Sequence, residues 1–272
     1  GRLVRKTGRE PDAPIRVMTY NVHACVGMDG QLSPDRIARV IAQSDADIIC
    51  LQELDVFRRR SGHCDQAKEV ARHLEMRHEF RPAWHLEEEQ FGNAILTKLP
   101  MRVVKSDSLH QQQPNRSKRS AIWVEIDIDT NISLQLINTH LSIYPTEQLS
   151  QATQLVDDWI TPAMLQGPVV FCGDFNAGPK TPTHQRICKT LRDIESYDSS
   201  PTRSTLFSPF PISRVDHIFV SPGIQAMNNQ VMRSRLAKIA SDHLPLMSEL
   251  SLSEVPSSKN RSTSANSIQH DT

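Results

Sequence analysis

The chain has 272 residues, with 31 Lys and Arg against 31 Asp and Glu, for a formal net charge of +0. That length suits one large α/β or β-rich domain, or two small ones, and excludes a staple-dependent mini-protein. The charge balance argues against non-specific duplex binding as the main task, which calls for a basic excess, though local basic patches stay open.

The five cysteines are Cys25, Cys50, Cys64, Cys172 and Cys188. Their odd number, the absence of a CxxC pair and the apolar runs around two of them predict reduced, mostly buried thiols. No apolar run reaches membrane-spanning length and no signal-peptide pattern is present, so a cytoplasmic monomer is expected. The sequence opens on Gly1 rather than Met, as a piece of a longer protein would.

Residues 1–14 are charged, contain Pro and lack periodicity, and read as a tail or linker. Ile15 to Val22 alternates as a strand and closes on Asn21, followed by His23. Ser33 caps a helix with Pro34 at its first position and Ile37, Val40 and Ile41 on one face. Asp47 to Glu53 is a buried strand ending on an acid. The run Arg58-Arg59-Arg60 reads first as a solvated face, with a rim that attracts an anionic substrate as the alternative. Asp65 caps a helix whose apolar face carries Ala67, Val70, Ala71 and Leu74. Phe91 to Thr97 reads as a strand with Asn93 near its start. Lys98 to Arg119 mixes short apolar pieces with Lys and Arg and holds a Gln-rich loop at Gln111 to Gln113.

Ala121 to Ile128 and Ile132 to His140 predict a hairpin turning at Asp129-Thr130-Asn131. Pro145 opens a helix with Leu149, Ala152, Val156, Trp159 and Ile160 on one side. Val169-Val170-Phe171-Cys172 is a doubly buried strand that runs into Gly173, Asp174, Phe175 and Asn176. A helix near Thr183 to Leu191 follows, then a Pro-broken loop from Ser204 to Ile212 with Leu206, Phe207, Phe210 and Ile212. Arg214 to Ser221 is a strand with Asp216 near its start, and Asp242-His243 leads into a last strand ending near Leu252. Residues 253–272 are rich in Ser, Asn and Lys and are expected to be a disordered tail, which leaves 15–252 as the folded domain.

Six apolar segments thus end, or nearly end, on Asn21, Glu53, His140, Asp174 with Asn176, Asp216, and Asp242 with His243. One such end is an ordinary strand-to-loop turn. Six drawn from carboxylates, amides and imidazoles predict strand ends converging on one pocket. Phosphate ester hydrolysis uses this kit: carboxylates hold a hard cation, an acid prepares water, and imidazoles and amides stabilise developing charge.

The motifs Thr19-Tyr20-Asn21-Val22, Leu51-Gln52-Glu53, Asn138-Thr139-His140-Leu141, Gly173-Asp174-Phe175-Asn176, Val215-Asp216-His217 and Ser241-Asp242-His243 occur in one order over about residues 15 to 252. In that order and spacing the chain resembles the endonuclease/exonuclease/phosphatase superfamily, the deoxyribonuclease-I-like group. The resemblance implies a four-layer α/β sandwich, two mixed sheets face to face with helices outside, and Mg²⁺-dependent hydrolysis (Mn²⁺ able to substitute) at one end. It implies Glu53 as principal metal ligand with Asn21 beside it and Asp242 on the metal side. It implies Asp174 as the residue that deprotonates water, Asn176 as a phosphate contact, His243 on the scissile phosphate with Asp216 fixing its tautomer, and His140 as a second phosphate-contacting imidazole and leaving-group acid. Asn93 takes the place of a residue that orients this cluster, and Asn93 and Arg58 are assigned to substrate contact. His23 stands where abasic-site endonucleases carry an acid, and Asn176-Ala177-Gly178-Pro179 departs from their Ala-His pair, so the sphingomyelinase-like and deadenylase-like branches are the nearer ones. The expected activity is a phosphodiesterase on a lipid or small phosphodiester; a nuclease is the alternative, and an inactive scaffold the third reading.

Overall fold

The structure, a computed structural model, describes residues 13–199 and 203–252. The expected terminal tails therefore lie outside the described residues, apart from Ala13 and Pro14. Twelve strands form two six-stranded sheets. They are β1 (Ile15–Asn21), β2 (Ile48–Val56), β3 (Arg77–Leu86), β4 (Glu89–Thr97), β5 (Met101–Ser108), β6 (Ser120–Asp127), β7 (Ser133–His140), β8 (Val169–Asp174), β9 (Arg192–Asp193), β10 (Asp216–Val220), β11 (Gln225–Val231) and β12 (Leu246–Ser251). One sheet runs β11-β12-β1-β2-β4-β3 and the other β5-β6-β7-β8-β10-β9. Both are mixed, with β1 parallel to β2 and β7 parallel to β8 and the other pairs antiparallel.

Alternation along the central strands decides which side chains meet between the sheets. Ile15, Val17, Ile48, Cys50, Leu134, Leu136, Val170, Cys172, Ile218 and Val220 belong to one buried cluster there. The intervening residues face outward, under helices. Met18, Tyr20, Ile49 and Leu51 pack with α1 (Pro34–Ala42) and α2 (Gln66–His73). Ile137, Phe171 and Phe219 pack with α3 (Pro145–Leu155), one wide helical turn at Val156–Ile160, α4 (Thr161–Gln166) and α5 (Pro182–Cys188). A short α6 (Ala237–Ala240) packs with α1. The layering is that of the four-layer α/β sandwich.

Helix starts follow local chemistry. Ser33 Oγ accepts from Arg36 N at 3.1 Å, Asp65 Oδ1 from Lys68 N at 3.0 Å and Thr181 Oγ1 from His184 N at 3.2 Å. Pro34, Pro145 and Pro182 stand at first helical positions, where the missing N–H costs nothing.

The predicted hairpin is β6–β7, with Ala121 opposite Thr139. Four strands, β3, β5, β9 and β11, lie in stretches to which no strand was assigned from sequence. No disulfide forms among the described residues; Cys25, Cys50 and Cys172 are buried, Cys64 is half-buried and Cys188 is exposed. No described helix is long and apolar enough to cross a membrane.

Candidate active site

Strand register assembles the site. His140 lies directly opposite Asp174 across the β7–β8 pair, and Asp174 directly opposite Asp216 across β8–β10. Residues directly opposite share a face, so the three polar side chains form a row. Stepping back by two along β8 and β7 reaches Cys172 and Asn138, and β10 continues from Asp216 to Ile218. The row therefore belongs to the inner face, at the end where the apolar core stops. From the other sheet, Asn21 ends β1 opposite Gln52 on β2.

Glu53 reaches this face through a defect. Leu51 pairs with Ala94 and Leu54 with Gly92, so Gln52 and Glu53 together oppose the single residue Asn93. Glu53 takes φ 61°, the left-handed region. In regular alternation Glu53 would point away from its neighbour Gln52; the bulge re-aims it. Its side chain is 25 % exposed, with Oε1 4.0 Å from His140 Nε2.

Asp174 is buried and held from several sides. Its Oδ2 accepts from Asn21 Nδ2 at 2.9 Å and its Oδ1 from Asn176 N at 2.9 Å. Burial, and then the charge of Asp216, push its carboxyl up to about 7, against the pull of these hydrogen bonds and of His243. Asp216 Oδ2 lies 2.8 Å from His243 Nδ1 and accepts from Thr205 Oγ1 at 2.5 Å. Its Oδ1 is buried without a partner. Burial disfavours charge on His243, but Asp216 and Asp174 outweigh it and carry the imidazole up to about 10. His243 Nε2 faces Asp174 Oδ2 at 3.7 Å.

His140 is the opposite case. Burial, then the charges of Arg119 and His243, hold it well below the ordinary imidazole range, so it is neutral at pH 7. Asn176 Nδ2 donates to its Nε2 at 3.1 Å and to Leu141 O at 2.9 Å.

Asn21 spends its amide on Asp174 and on His23 N, which donates to its Oδ1 at 3.0 Å. Asp242 flanks His243 half-buried, with Ser241 Oγ 3.4 Å from its Oδ1. Asn93 is buried and donates to Ser120 O at 3.3 Å, tying β4 to β6. Arg58 lines one cavity together with Glu53, its guanidinium over Trp84 at 4.8 Å.

Four contributors escaped the sequence reading. Arg119, just before β6, places Nη1 3.1 Å from both ring nitrogens of His140. Gln148 on α3 donates to Asn176 O and Ser142 O, each at 2.9 Å, and Gln151 Oε1 accepts from Ser142 N at 2.9 Å. Ala152, Val156, Trp159 and Ile160 pack in the core as expected, Leu149 is half-buried, and these two glutamines are buried beside them. Gln52 donates to Asn138 Oδ1 at 2.9 Å and so crosses between the sheets under the site.

Behind the row lies a second cluster. His217 follows Asp216 and faces outward, with Nε2 2.6 Å from Ala177 O. Asp193 Oδ2 lies 2.7 Å from His184 Nε2 and accepts from Arg214 Nη2. Burial resists ionisation of Asp193, but hydrogen bonds from His184 and His217 hold its carboxyl far below the usual range.

Glu53, His140 and Asp174 each offer one ligand atom within 4.8 Å of the others, as do Asp174, Asp216 and His243. Around Glu53 the donors are carboxylate oxygens and one neutral imidazole, and four carboxylates (Glu53, Asp174, Asp216, Asp242) stand against the cations His243 and Arg119. Such a set fits a hard cation. The Endonuclease/Exonuclease/phosphatase family profile matches residues 18–243. The chain belongs to that family.

No curated protein sequence matches the chain. Solved structures do. An endonuclease/exonuclease/phosphatase from Beutenbergia cavernae is 22 % identical, over 88 % of this chain and 72 % of that one, with a TM-score of 0.72. The mannosyl-6-phosphatase Bt3783 of Bacteroides thetaiotaomicron is 21 % identical over 87 % and 99 %, with a TM-score of 0.71. The human Nocturnin catalytic domain with bound sulfate is 21 % identical over 88 % and 93 %, with a TM-score of 0.66. At these identities the likeness is one of fold. The family makes the chain a phosphoesterase, and its His/Asp cluster is a site that could hold a metal ion.

Proposed function

We propose that this family member is a Mg²⁺-dependent phosphodiesterase acting on a lipid or small phosphodiester by in-line attack of water. The observation that carries the reading is the row His140–Asp174–Asp216 with His243 bonded to Asp216, placed against Glu53. Asp174 is the base: a carboxyl near pH 7 is ionised often enough to act and basic enough to take a proton from water. The Asn21 amide and the Asn176 N–H fix its two oxygens. His243, charged and held by Asp216, presents Nε2 beside Asp174 and donates to the phosphoryl oxygens as charge develops. Arg119 flanks His140 and adds a guanidinium to the same side, while Asn176 Nδ2, spent on His140 Nε2 and Leu141 O, holds the imidazole in place. Glu53, with Asn21 and Asp242, would hold Mg²⁺ (or Mn²⁺), which would neutralise phosphoryl charge.

The lipid branch of this reading rests on the loop before β10. Leu206 bridges to His243, while Phe207, Phe210 and Ile212 are 50 %, 85 % and 72 % exposed. An apolar lip tethered to a catalytic imidazole suits an interfacial substrate. The nuclease reading rests on Arg58, Lys118 and Arg119; these line a cavity of about 570 Å³, small for a polymer. All positions of the catalytic set are filled, which disfavours an inactive scaffold.

The test is a panel of nucleic acids, phospholipids and soluble phosphodiesters, each with and without chelator. Chelation should abolish hydrolysis, and Mg²⁺ or Mn²⁺ should restore it. Full activity in chelator sinks the metal mechanism. Cleavage of nucleic acid alone, weakening steeply with salt, turns the reading to a nuclease.

A further inference from the structure

Beside Glu53, away from the Asp174–Asp216 row, a cavity of about 570 Å³ is lined by Arg58, Arg60, Lys118 and Arg119 with Trp84 and Phe91 as an aromatic wall. The cations are not equally engaged. Arg60 donates twice to Asp55, at 2.7 and 2.8 Å, and so neutralises a carboxylate that is fully buried. Arg58 is fixed without being satisfied. Its guanidinium lies over Trp84 at 4.8 Å and Phe91 at 5.9 Å and makes ion pairs at 3.6 Å with Asp55, which Arg60 already neutralises, and with Glu89, but hydrogen-bonds to neither. Its Nε is buried with no hydrogen-bond partner. Arg119 likewise keeps a buried Nε with no hydrogen-bond partner, and its Nη1 meets the ring nitrogens of His140 at 3.1 Å. Lys118 is exposed, with no carboxylate within ion-pair distance among the described residues.

Two guanidinia around one cavity with donors withdrawn from water and left without hydrogen bonds, beside a lysine with no ion pair, are costly for a fold to keep unless an anion enters. Glu53 lies on the same wall, and as a metal ligand it would leave the excess uncompensated. The scissile phosphate belongs at His140, Asp174 and His243, so Arg58 and Lys118 face a different part of the substrate. We propose that this cavity is a subsite for a second phosphate group carried by the same substrate, gripped by Arg58 and Lys118, with Arg119 between the two phosphates and the connecting carbon frame against Trp84 and Phe91. Several N–H donors converging from planar guanidinia match a tetrahedral dianion. The volume suits a phosphorylated sugar or headgroup. The proposal takes from the phosphodiesterase reading only which phosphate is cleaved; the binding itself does not depend on turnover.

Binding is therefore measured on the full chain in chelator, by calorimetry, with glucose 1,6-bisphosphate against glucose 1-phosphate and glucose 6-phosphate. In parallel, co-sedimentation uses phosphatidylcholine vesicles containing phosphatidylglycerol phosphate or phosphatidylglycerol. The second phosphate should tighten binding at least about tenfold in one arm or both. A ratio confined to vesicles places the second phosphate on a lipid headgroup; a ratio with the sugars places it on a soluble substrate. Lys118→Glu and Arg58→Gln should each shrink that ratio to about threefold or less. Lys118 is a surface residue, so its variant folds even if loss of the Arg58 stacking on Trp84 unsettles the other. Equal affinity for one and two phosphates in both arms, or a ratio that Lys118→Glu leaves intact, overturns the proposal. Because nothing is hydrolysed, failure of the panel above and failure here are separate results.

Discussion

Glu53 and His243 illustrate two ways in which a single residue is made functional against its own preference. Glu53 sits at φ 61°, a conformation that costs an L-residue about 1–2 kcal/mol, and the bulge at Gln52–Glu53 enforces it. His243 is buried, which disfavours its charge, yet Asp216 and Asp174 hold it charged up to about 10. The Nδ1 contact to Asp216 at 2.8 Å also fixes which nitrogen points at Asp174. A carboxylate and an imidazole so joined act as one unit. Asp216→Ala and His243→Ala should each lower kcat by several powers of ten, and the double variant little further. Single-turnover rates of the two variants and the double variant check this; multiplicative losses would mean that the contact is not used in catalysis.

Elements differ sharply in how far sequence alone exposes them. The central strands β1, β2, β7, β8, β10 and β12 carry apolar runs because both faces are covered, one by the opposite sheet and one by helices. Their polar termini stand out against those runs, which is why Asn21, Glu53, His140, Asp174 and Asp216 could be read as one site. The strands that escaped, β3, β5, β9 and β11, are the four edges of the two sheets. An edge strand pairs on one side only and keeps charges and Pro that discourage further pairing, as Arg77, Arg81 and Pro82 do in β3. No apolar period marks such a stretch. The bulge at Glu53 was equally hidden, since a register slip leaves no local signature, and Arg119, Gln148 and Gln151 lie in stretches whose polarity reads as solvent exposure. The helix α5 matches the one expected near Thr183 to Leu191, but the contact of its His184 with Asp193 on β9 had no sequence signal, and it invites a test. His184 is pushed up to about 9: burial opposes the charge, and hydrogen bonds and charges from Asp193 and Cys188 override it. The folded state therefore binds a proton more tightly than the unfolded chain, whose imidazole titrates near 6.5. The stabilisation is complete below pH 6.5 and is lost as pH rises through 9. The Tm of the wild-type protein should exceed that of His184→Gln by a few degrees at pH 6, with the gap closing by pH 9.5. A gap that widens with pH would mean that the His184–Asp193 contact is not an ion pair.

At the scale of the whole molecule, the sandwich places all its chemistry at one end of two sheets and frames it with surfaces of opposite character. On one side of the row is the basic and aromatic cavity beside Glu53; on the other is the loop with Phe207, Phe210 and Ile212, bridged to His243 through Leu206. A chain with formal net charge +0 has no global field to draw a polyanion, so long-range steering cannot choose the substrate. Local surface must do it. The lip offers about three large apolar side chains to a bilayer and no basic residue of its own, so its contribution should depend on an interface and hardly on salt. Phe207→Ser combined with Phe210→Ser should therefore lower turnover of a phosphodiester lipid on phosphatidylcholine vesicles by about tenfold or more, since each removes a partly inserted ring. The same protein should hydrolyse a small soluble phosphodiester at nearly the wild-type rate. Thr205, which bonds Asp216, and the Leu206 bridge to His243 are untouched, and the reacting groups stand on strand ends. Replacing the exposed Arg59 by Ser should weigh less on vesicles free of anionic lipid, where that cation finds little partner. Vesicle and soluble assays run on the same variants decide it. If both substrates lose rate equally, the lip is part of the fold around His243. If neither changes, the substrate does not reach the site from a membrane.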